Sequence, residues 1–465
     1  MKTWIKGTNA VILSLAVVGI FIVLTLFLHS LKGVQWDLSK NKNYTLSDQT
    51  VNTLKELDKE VHVIIVANQQ GGFNRQVMDL MAEYRNRNKK FTYEELDPKK
   101  KPTVAQQYKI DQYGMIVFSS GGKTKNVLEP ELFAQGNAEG AYNFLGEEKF
   151  TQALLSLTSD VKHVVYLLSG HGEMTTQIAT ELTKSLQGEA YEVKDLNLAQ
   201  ETKVPDDAET VFILAPKNDI SDKEAELIKT YIVGKGKLVV GLNLAKGMET
   251  WKNWNAILAA VGVKNQLAIA VETKKSVTND PLVLVPTYSA HEITKKLQEQ
   301  NRLTILPGGL ALAVAEENKE VKTTALLTTS TESYAKTDLT IFTSGQKLTQ
   351  DIIKNTAKDL KGPITLAYAV QDKESKPKAV VFGNGIFVTN DLINEQGNRD
   401  LLLNSAGWLQ GQTNQLTIRP RVETQMQRVM ISPAQGKMIY YGTFIVIPLL
   451  ILLIGGAIWW RRRKG

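Results

Sequence analysis

The sequence predicts an α/β protein with two sheet-bearing parts, flanked by a transmembrane helix at each end. Three observations predict it. Short runs that are apolar throughout alternate with stretches of helical periodicity, uncharged apolar segments of more than 20 residues stand near both ends, and a chain of 465 residues exceeds what one hydrophobic core usually serves. The 43% apolar and 22% charged content is that of a folded protein.

The segment Asn9–Leu31 (NAVILSLAVVGIFIVLTLFLHSL) carries no formal charge and is long enough to cross a hydrocarbon layer of about 30 Å. It exceeds an ordinary signal-peptide core, and no small-x-small cleavage pattern follows it, so it reads as an uncleaved anchor over 9–31. The segment Tyr440–Trp460 has paired tyrosines at one edge and paired tryptophans at the other, as the two membrane interfaces favour, giving a second span over 440–460. Lys2 and Lys6 before the first span, and Arg461, Arg462, Arg463 and Lys464 after the second, place both termini in the cytoplasm and the body outside it. Those six residues account for most of the net charge of +7. The rest is close to neutral, which argues against a nucleic-acid partner. With no cysteine, disulfides, thiolate catalysis and Cys-ligated metals are excluded.

Ser47 is the expected N-cap of a helix over Asp48–Leu57, and Val61–Val66 reads as a buried strand. A helix over Phe73–Asn88, the strand FTYEEL, a short helix near Val104–Tyr108, and the pair YGMIVFSS and KTKNVL follow. The order β-α-β-α-β-β is thioredoxin-like and covers 37–140, without Cys-x-x-Cys and hence without redox activity. Lys99, Lys100 and Lys101 read as a solvated turn. A helix with apolar Phe150, Leu154, Leu155 and Leu157 forms a linker over 141–162. From 163 to 430 a larger domain alternates strands (VVYLLS, YEVKDLNL, TVFILAP, KLVVGLN) with helices over Thr175–Leu186 and Asp222–Val233, which implies a mostly parallel sheet. Further strands are expected at TTALLTTS, PITLAYAV and KAVVFGNGIFVTN, and a closing helix over Asn398–Leu409 ends at Gly411.

Two glycine turns are the candidate ligand sites. Ser169-Gly170-His171-Gly172-Glu173 follows a strand that reads as parallel, and the C-terminal edge of such a sheet is where ligands bind. His171 and Glu173 are an acid/base or ligand-contact pair in the functional reading, and a locally bonded strand-to-helix turn in the structural one. Gly383, Asn384 and Gly385 follow a second strand, either approaching a ligand or admitting a tight backbone turn. No HExxH, GxSxG, Walker A or GxGxxG pattern occurs, so no catalytic residue, metal site or cofactor is assigned.

The run YTLSDQTVNTLKELDKEVHVIIV after the first span, then YGMIVF, GEEKFTQALLSLTSDVKHVVYLLSGHGE, AVVFGNGIFVTND and GNRDLLLNSAGWLQG before the last span, resembles the Gld-G family in order and spacing. These are auxiliary membrane proteins of ABC-type transport systems, first associated with gliding motility. The resemblance implies a non-catalytic accessory subunit in the bacterial cell envelope, working with an ABC permease and a separate cytoplasmic ATPase. It also implies that the larger domain is flavodoxin- or glutamine-amidotransferase-like. The amidotransferase nucleophile is a cysteine, so this chain does not inherit that activity. Two alternatives stand beside this reading: an extracytoplasmic enzyme acting on an envelope polymer or carbohydrate through His171 and Glu173, and a structural scaffold between membrane and envelope. An envelope ligand at the glycine turns fits the first two.

Overall fold

The structure, a computed structural model, describes residues 19–23, 45–135, 142–158, 163–234, 236–273, 280–316, 318–345, 347–411, 421–422, 455, 458–461 and 463. The chain divides into two compact units, 1–46 and 47–465. Most of both expected membrane spans lies outside the described residues. The described pieces, 19–23 and 458–461, are helical, with Ile20, Phe21, Trp459 and Trp460 exposed. Among the described residues no helix is long and apolar enough to cross a membrane.

In the second unit, α1 (Asp48–Glu56) starts at Ser47, whose hydroxyl accepts from the Thr50 amide at 3.2 Å. It is followed by β1 (Val61–Val66), α2 (Arg75–Arg87), β2 (Phe91–Leu96), α3 (Pro102–Gln107), β3 (Met115–Ser120) and β4 (Lys123–Leu128). The four strands pair in the order β2-β1-β3-β4. The β1–β2 pair is parallel and the other two pairs are antiparallel.

The helix expected to join the two parts, α4 (Gly146–Thr158), packs against this sheet. Phe150 is fully buried and packs on Phe118 with ring centres 5.5 Å apart, and an aromatic row continues through Phe91 to Tyr84. Its polar side is buried as well. Thr151 Oγ1 bonds the Tyr84 hydroxyl at 2.5 Å and the Thr50 hydroxyl at 3.0 Å, and Glu147 accepts from the Ser47 amide at 2.6 Å.

The second sheet has twelve strands: β5 (His163–Ser169), β6 (Tyr191–Asn197), β7 (Thr210–Leu214), β8 (Leu238–Gly241), β9 (Val263–Val271), β10 (Thr287–Tyr288), β11 (Leu310–Val314), β12 (Val321–Thr328), β13 (Tyr334–Lys336), β14 (Leu360–Lys361), β15 (Thr365–Asp372) and β16 (Pro377–Phe382). The main path runs β14-β13-β9-β11-β15-β16-β8-β7-β5-β6, with β12 bonded to β15 and β10 to β12. Only β6, β5, β7, β8 and β16 are mutually parallel. The expected mostly parallel sheet is therefore a mixed one. Its other half is antiparallel because short returns, such as the one between Asp372 and Pro377, cannot make the crossover that parallel neighbours need.

Side chains alternate between the two faces of the parallel half, as the pleat requires. Val165, Leu167, Phe212, Leu214, Val239 and Phe382 face α5 (Thr180–Gly188), α8 (Glu292–Glu299) and α9 (Asn398–Leu409). Val164, Tyr166, Leu168, Val211, Ile213 and Val240 face α6 (Asp222–Val233) and α7 (Asn253–Ala260). The result is a sheet covered by helices on both sides. Helix α5 starts at Thr180, five residues later than the periodicity predicts, because Asp195 ties both the amide and the hydroxyl of Thr176 into a turn.

Buried polar contacts tie the two sheets together. Gln49 Nε2 donates to Glu189 at 2.7 Å, and the half-buried Arg399 donates to Glu148 at 3.1 Å. Burial pushes the Glu189 carboxyl up to about 7, the nearby Glu148 and Asp400 charges add to that, and the Gln49 donor and the Arg399 charge oppose it. Gln49 Oε1 is buried without a hydrogen-bond partner. An unfolded glutamate ionises near 4.5, so between there and about 7 the folded chain keeps a proton that the unfolded chain has released. Stability should fall as pH rises through that window. Glu189→Gln is expected to match the parent near pH 5 and to exceed it by up to about 3 kcal/mol near pH 8, read from urea midpoints at the two pH values.

Candidate functional site

Strand β5 ends at Ser169, whose hydroxyl donates to the Leu196 carbonyl at 3.1 Å. The chain then turns through Gly170 and Gly172, both with positive φ (124° and 87°). At Gly172 a side chain is excluded twice over, because a Cβ would also come within 2.9 Å of Lys217. The carbonyl of His171 accepts from the amides of Lys217 and Asn218, at 2.9 and 3.1 Å, stitching the turn to the segment after β7.

Three side chains meet here. His171 Nδ1 lies 3.1 Å from Glu173 Oε1, and Nε2 lies 3.2 Å from Glu224 Oε2 on α6. Glu173 also accepts from the His171 amide at 2.7 Å. Both carboxylates are buried, and the imidazole ring stands edge-on to Trp254. With a carboxylate at each ring nitrogen, the imidazolium donates from both. The Glu173 hydrogen bond raises the His171 pKa above its ordinary value against the opposing effect of burial, and the Glu224 charge adds to the rise. Glu224 is lowered below the usual carboxylate range: burial works the other way, but the Ser221 hydroxyl at 2.5 Å and the His171 charge outweigh it.

Glu224 was not among the residues the sequence singled out. Its signal was the Ser221-x-x-Glu224 capping box at the start of α6, in which the serine and the glutamate satisfy each other's backbone amides. Nothing in that pattern reveals that the same carboxylate reaches a histidine 53 positions away.

The second turn is a packing device. A side chain at Gly383 would collide with the Leu310 carbonyl, and one at Gly385 with the Gly241 carbonyl and the Ala215 amide. Asn384 is fully buried, accepting from the Phe387 amide at 2.9 Å and donating to the Pro307 carbonyl. Beyond it, Asn390 joins this segment to the turn before α5, accepting from the Glu181 amide at 3.0 Å and donating to the Ile178 carbonyl at 3.0 Å. Both turns lie at the C-terminal edge of the parallel strands. Strands β7 and β8 stand between them, a separation of roughly 14 Å at ordinary strand spacing, so the eight residues share an edge but not a contact.

A sheet covered on both faces, with a charged histidine held between two buried glutamates at its carboxyl edge, defines a class of α/β protein. The model of the family described as "ABC-type uncharacterized transport system" matches residues 162–405, more than half of the chain, and the protein belongs to that family. A model described as "Domain of unknown function (DUF7088)" matches residues 40–135. No curated protein matches the chain. Among solved structures, the "mmIFT52 N-terminal domain" is 14% identical with a TM-score of 0.40, over 54% of this chain and 100% of that one. The NTD_N/C domain of alkylhydroperoxide reductase AhpF from Enterococcus faecalis (V583) is 11% identical with a TM-score of 0.19, over 32% of this chain and 77% of that one.

His171→Gln leaves two buried carboxylates without their cation and is expected to destabilise the fold by about 3 kcal/mol. The raised pKa makes the histidine's contribution complete below pH 6.5 and lost as pH rises through the folded value. Melting temperatures from pH 6 to 9 should therefore decline more steeply in the parent than in His171→Gln, which keeps only the Glu189 loss below about pH 7; parallel curves would rule out the charged clamp. Gly383→Ala forces the Leu310 backbone to move and is expected to cost about 3 kcal/mol or more, seen as a lowered urea midpoint.

Proposed function

We propose that this protein is a non-catalytic, membrane-anchored accessory subunit of an ABC-type transport system, of the Gld-G kind, working beside a separate permease and a cytoplasmic ATPase. The observation that carries this reading is the family match across the larger α/β part. The anchors are the apolar segments 9–31 and 440–460, whose basic flanks favour cytoplasmic termini and an extracytoplasmic body.

The candidate acid/base residues support a non-catalytic role. Both nitrogens of His171 are engaged by carboxylates, and both oxygens of Glu173 bond His171, so the pair closes a structural corner. The order β2-β1-β3-β4, with α4 beside it, agrees with a thioredoxin-like module, but the chain has no cysteine for redox work. The parallel half of the large sheet agrees with a flavodoxin- or amidotransferase-like core that has lost its nucleophile in the same way.

Affinity purification of the tagged full chain from detergent-solubilised membranes is expected to recover a permease and an ATPase of the ABC type. Protease added to intact spheroplasts is expected to digest the body. Failure to recover either partner, or digestion only after the membrane is opened, would count against the reading.

A further inference from the structure

A cleft of about 780 Å³ opens on the first sheet, at the ends where β1 and β2 begin and where the β3–β4 hairpin turns. It belongs to neither glycine turn described above. Its lining carries Lys89, Lys90, Lys109 and Lys123 against a single carboxylate, Glu60. Lys90 donates to the Asp58 carbonyl at 2.6 Å, a neutral acceptor that leaves its charge uncompensated. Lys89, Lys109 and Lys123 are exposed and have no carboxylate partner among the described residues.

The backbone presents this charge at a cost. Lys109 follows α3 with φ of 52°, the left-handed conformation in which glycine is the cheap residue and any other costs about 1 kcal/mol or more. A glycine there would end the helix as well but bring no cation to the cleft. The hairpin turn has glycines instead, Gly121 and Gly122 at φ of 54° and 80°, and a Cβ at either would meet nothing within 4 Å, so the turn borders open space.

The two serine hydroxyls at the end of β3 are already committed. Ser119 donates to the His62 carbonyl at 2.9 Å and Ser120 to the Glu60 carbonyl at 2.7 Å. What remains is a lining in which four ammonium groups stand against one carboxylate, Glu60, and a few neutral polar groups. Such a surface selects a group that only accepts and that carries more than one negative charge. A phosphate, with charge near −2 and three acceptor oxygens, meets both demands better than a single carboxylate. The volume exceeds what a bare phosphate fills and lies within the usual range for organic ligands, and Tyr108 adds an aromatic wall.

We propose that this cleft binds a phosphate-bearing organic molecule, held chiefly by Lys89, Lys109 and Lys123. The inference does not depend on the transport reading, since it rests on residues outside 162–405.

The test is calorimetric titration of the purified full chain in mild, uncharged detergent with inorganic pyrophosphate and with sn-glycerol 3-phosphate. Saturable binding is expected, weakened at least about tenfold in the triple variant Lys89→Gln, Lys109→Gln, Lys123→Gln. The triple Lys99→Gln, Lys100→Gln, Lys101→Gln removes equal charge on the exposed turn at 99–101 and is expected to bind like the parent. The single variant Lys109→Gly relaxes the backbone while removing one cation, so it should bind more weakly with an unchanged or higher melting temperature. Competition by dioctanoyl phosphatidic acid, whose phosphate is a monoester, but not by dioctanoyl phosphatidylcholine, assigns the natural source to a lipid headgroup; no competition by either assigns it to a soluble phosphate. No binding by the parent, equal losses in the two triple variants, or citrate binding as tightly as pyrophosphate would overturn the proposal.

Discussion

Helix α4 is buried on both of its faces, and the meeting of the two sheets depends on that constraint. One face is an ordinary apolar stripe whose Phe150 fills the space above β3. The other carries Glu147, Glu148 and Thr151, each buried and each bonded to a residue outside the helix. Isolated charges in such a place would be expelled or neutralised. Here Arg399 from α9 answers Glu148, and Gln49 from α1 reaches Glu189 just beyond α5. Buried pairs of this kind add little net stability, but they tolerate few alternative arrangements, because any slip leaves a charge uncompensated. The polar contacts thus set the two sheets in one relation.

The carboxyl edge of the parallel strands shows the same logic on a smaller scale. A strand leaving a parallel sheet must turn sharply, and the glycines at 170 and 172 allow the turn without fixing where it goes. His171 fixes it by donating to one carboxylate in its own loop and another on α6, so loop and helix share one charge balance. At the other turn no charge is involved, because Gly383 and Gly385 let backbone pack on backbone and Asn384 satisfies the amide and carbonyl exposed there. These corners hold the edge rigid while leaving its groups engaged with one another. The uncommitted charge lies elsewhere, at the opposite ends of the strands in the first sheet.

Much of the fold was legible in the residues. Ser47 before an acidic first turn, the continuous apolar run at 61–66, and Gly411 past α9 marked their elements through local chemistry that needs no distant partner. The glycine turns were legible for the same reason, since a strand followed by SGHGE has few ways to continue. Less legible was the direction of the later strands. An apolar run such as TLAYAV is compatible with either a parallel or an antiparallel neighbour, and only the short return to β16 decided it. The start of α5 was misplaced because the competing bond from Asp195 comes from a different strand. Helix α4 read as a connector with an apolar stripe, and nothing in its sequence marks Glu147 and Glu148 as buried.

By itself, then, the sequence determined the α/β class, the alternation of strands and helices, the lack of thiol chemistry and the two glycine corners, because each follows from a residue's own backbone preference, polarity or reactivity. Only the tertiary structure decided what the charged residues do. Whether Glu148 meets water or Arg399, whether His171 is free or held between Glu173 and Glu224, and whether Lys89, Lys109 and Lys123 stand apart or around one cleft all depend on elements far apart in the chain. A charge has no preferred partner until folding sets its distance to the others and the dielectric between them.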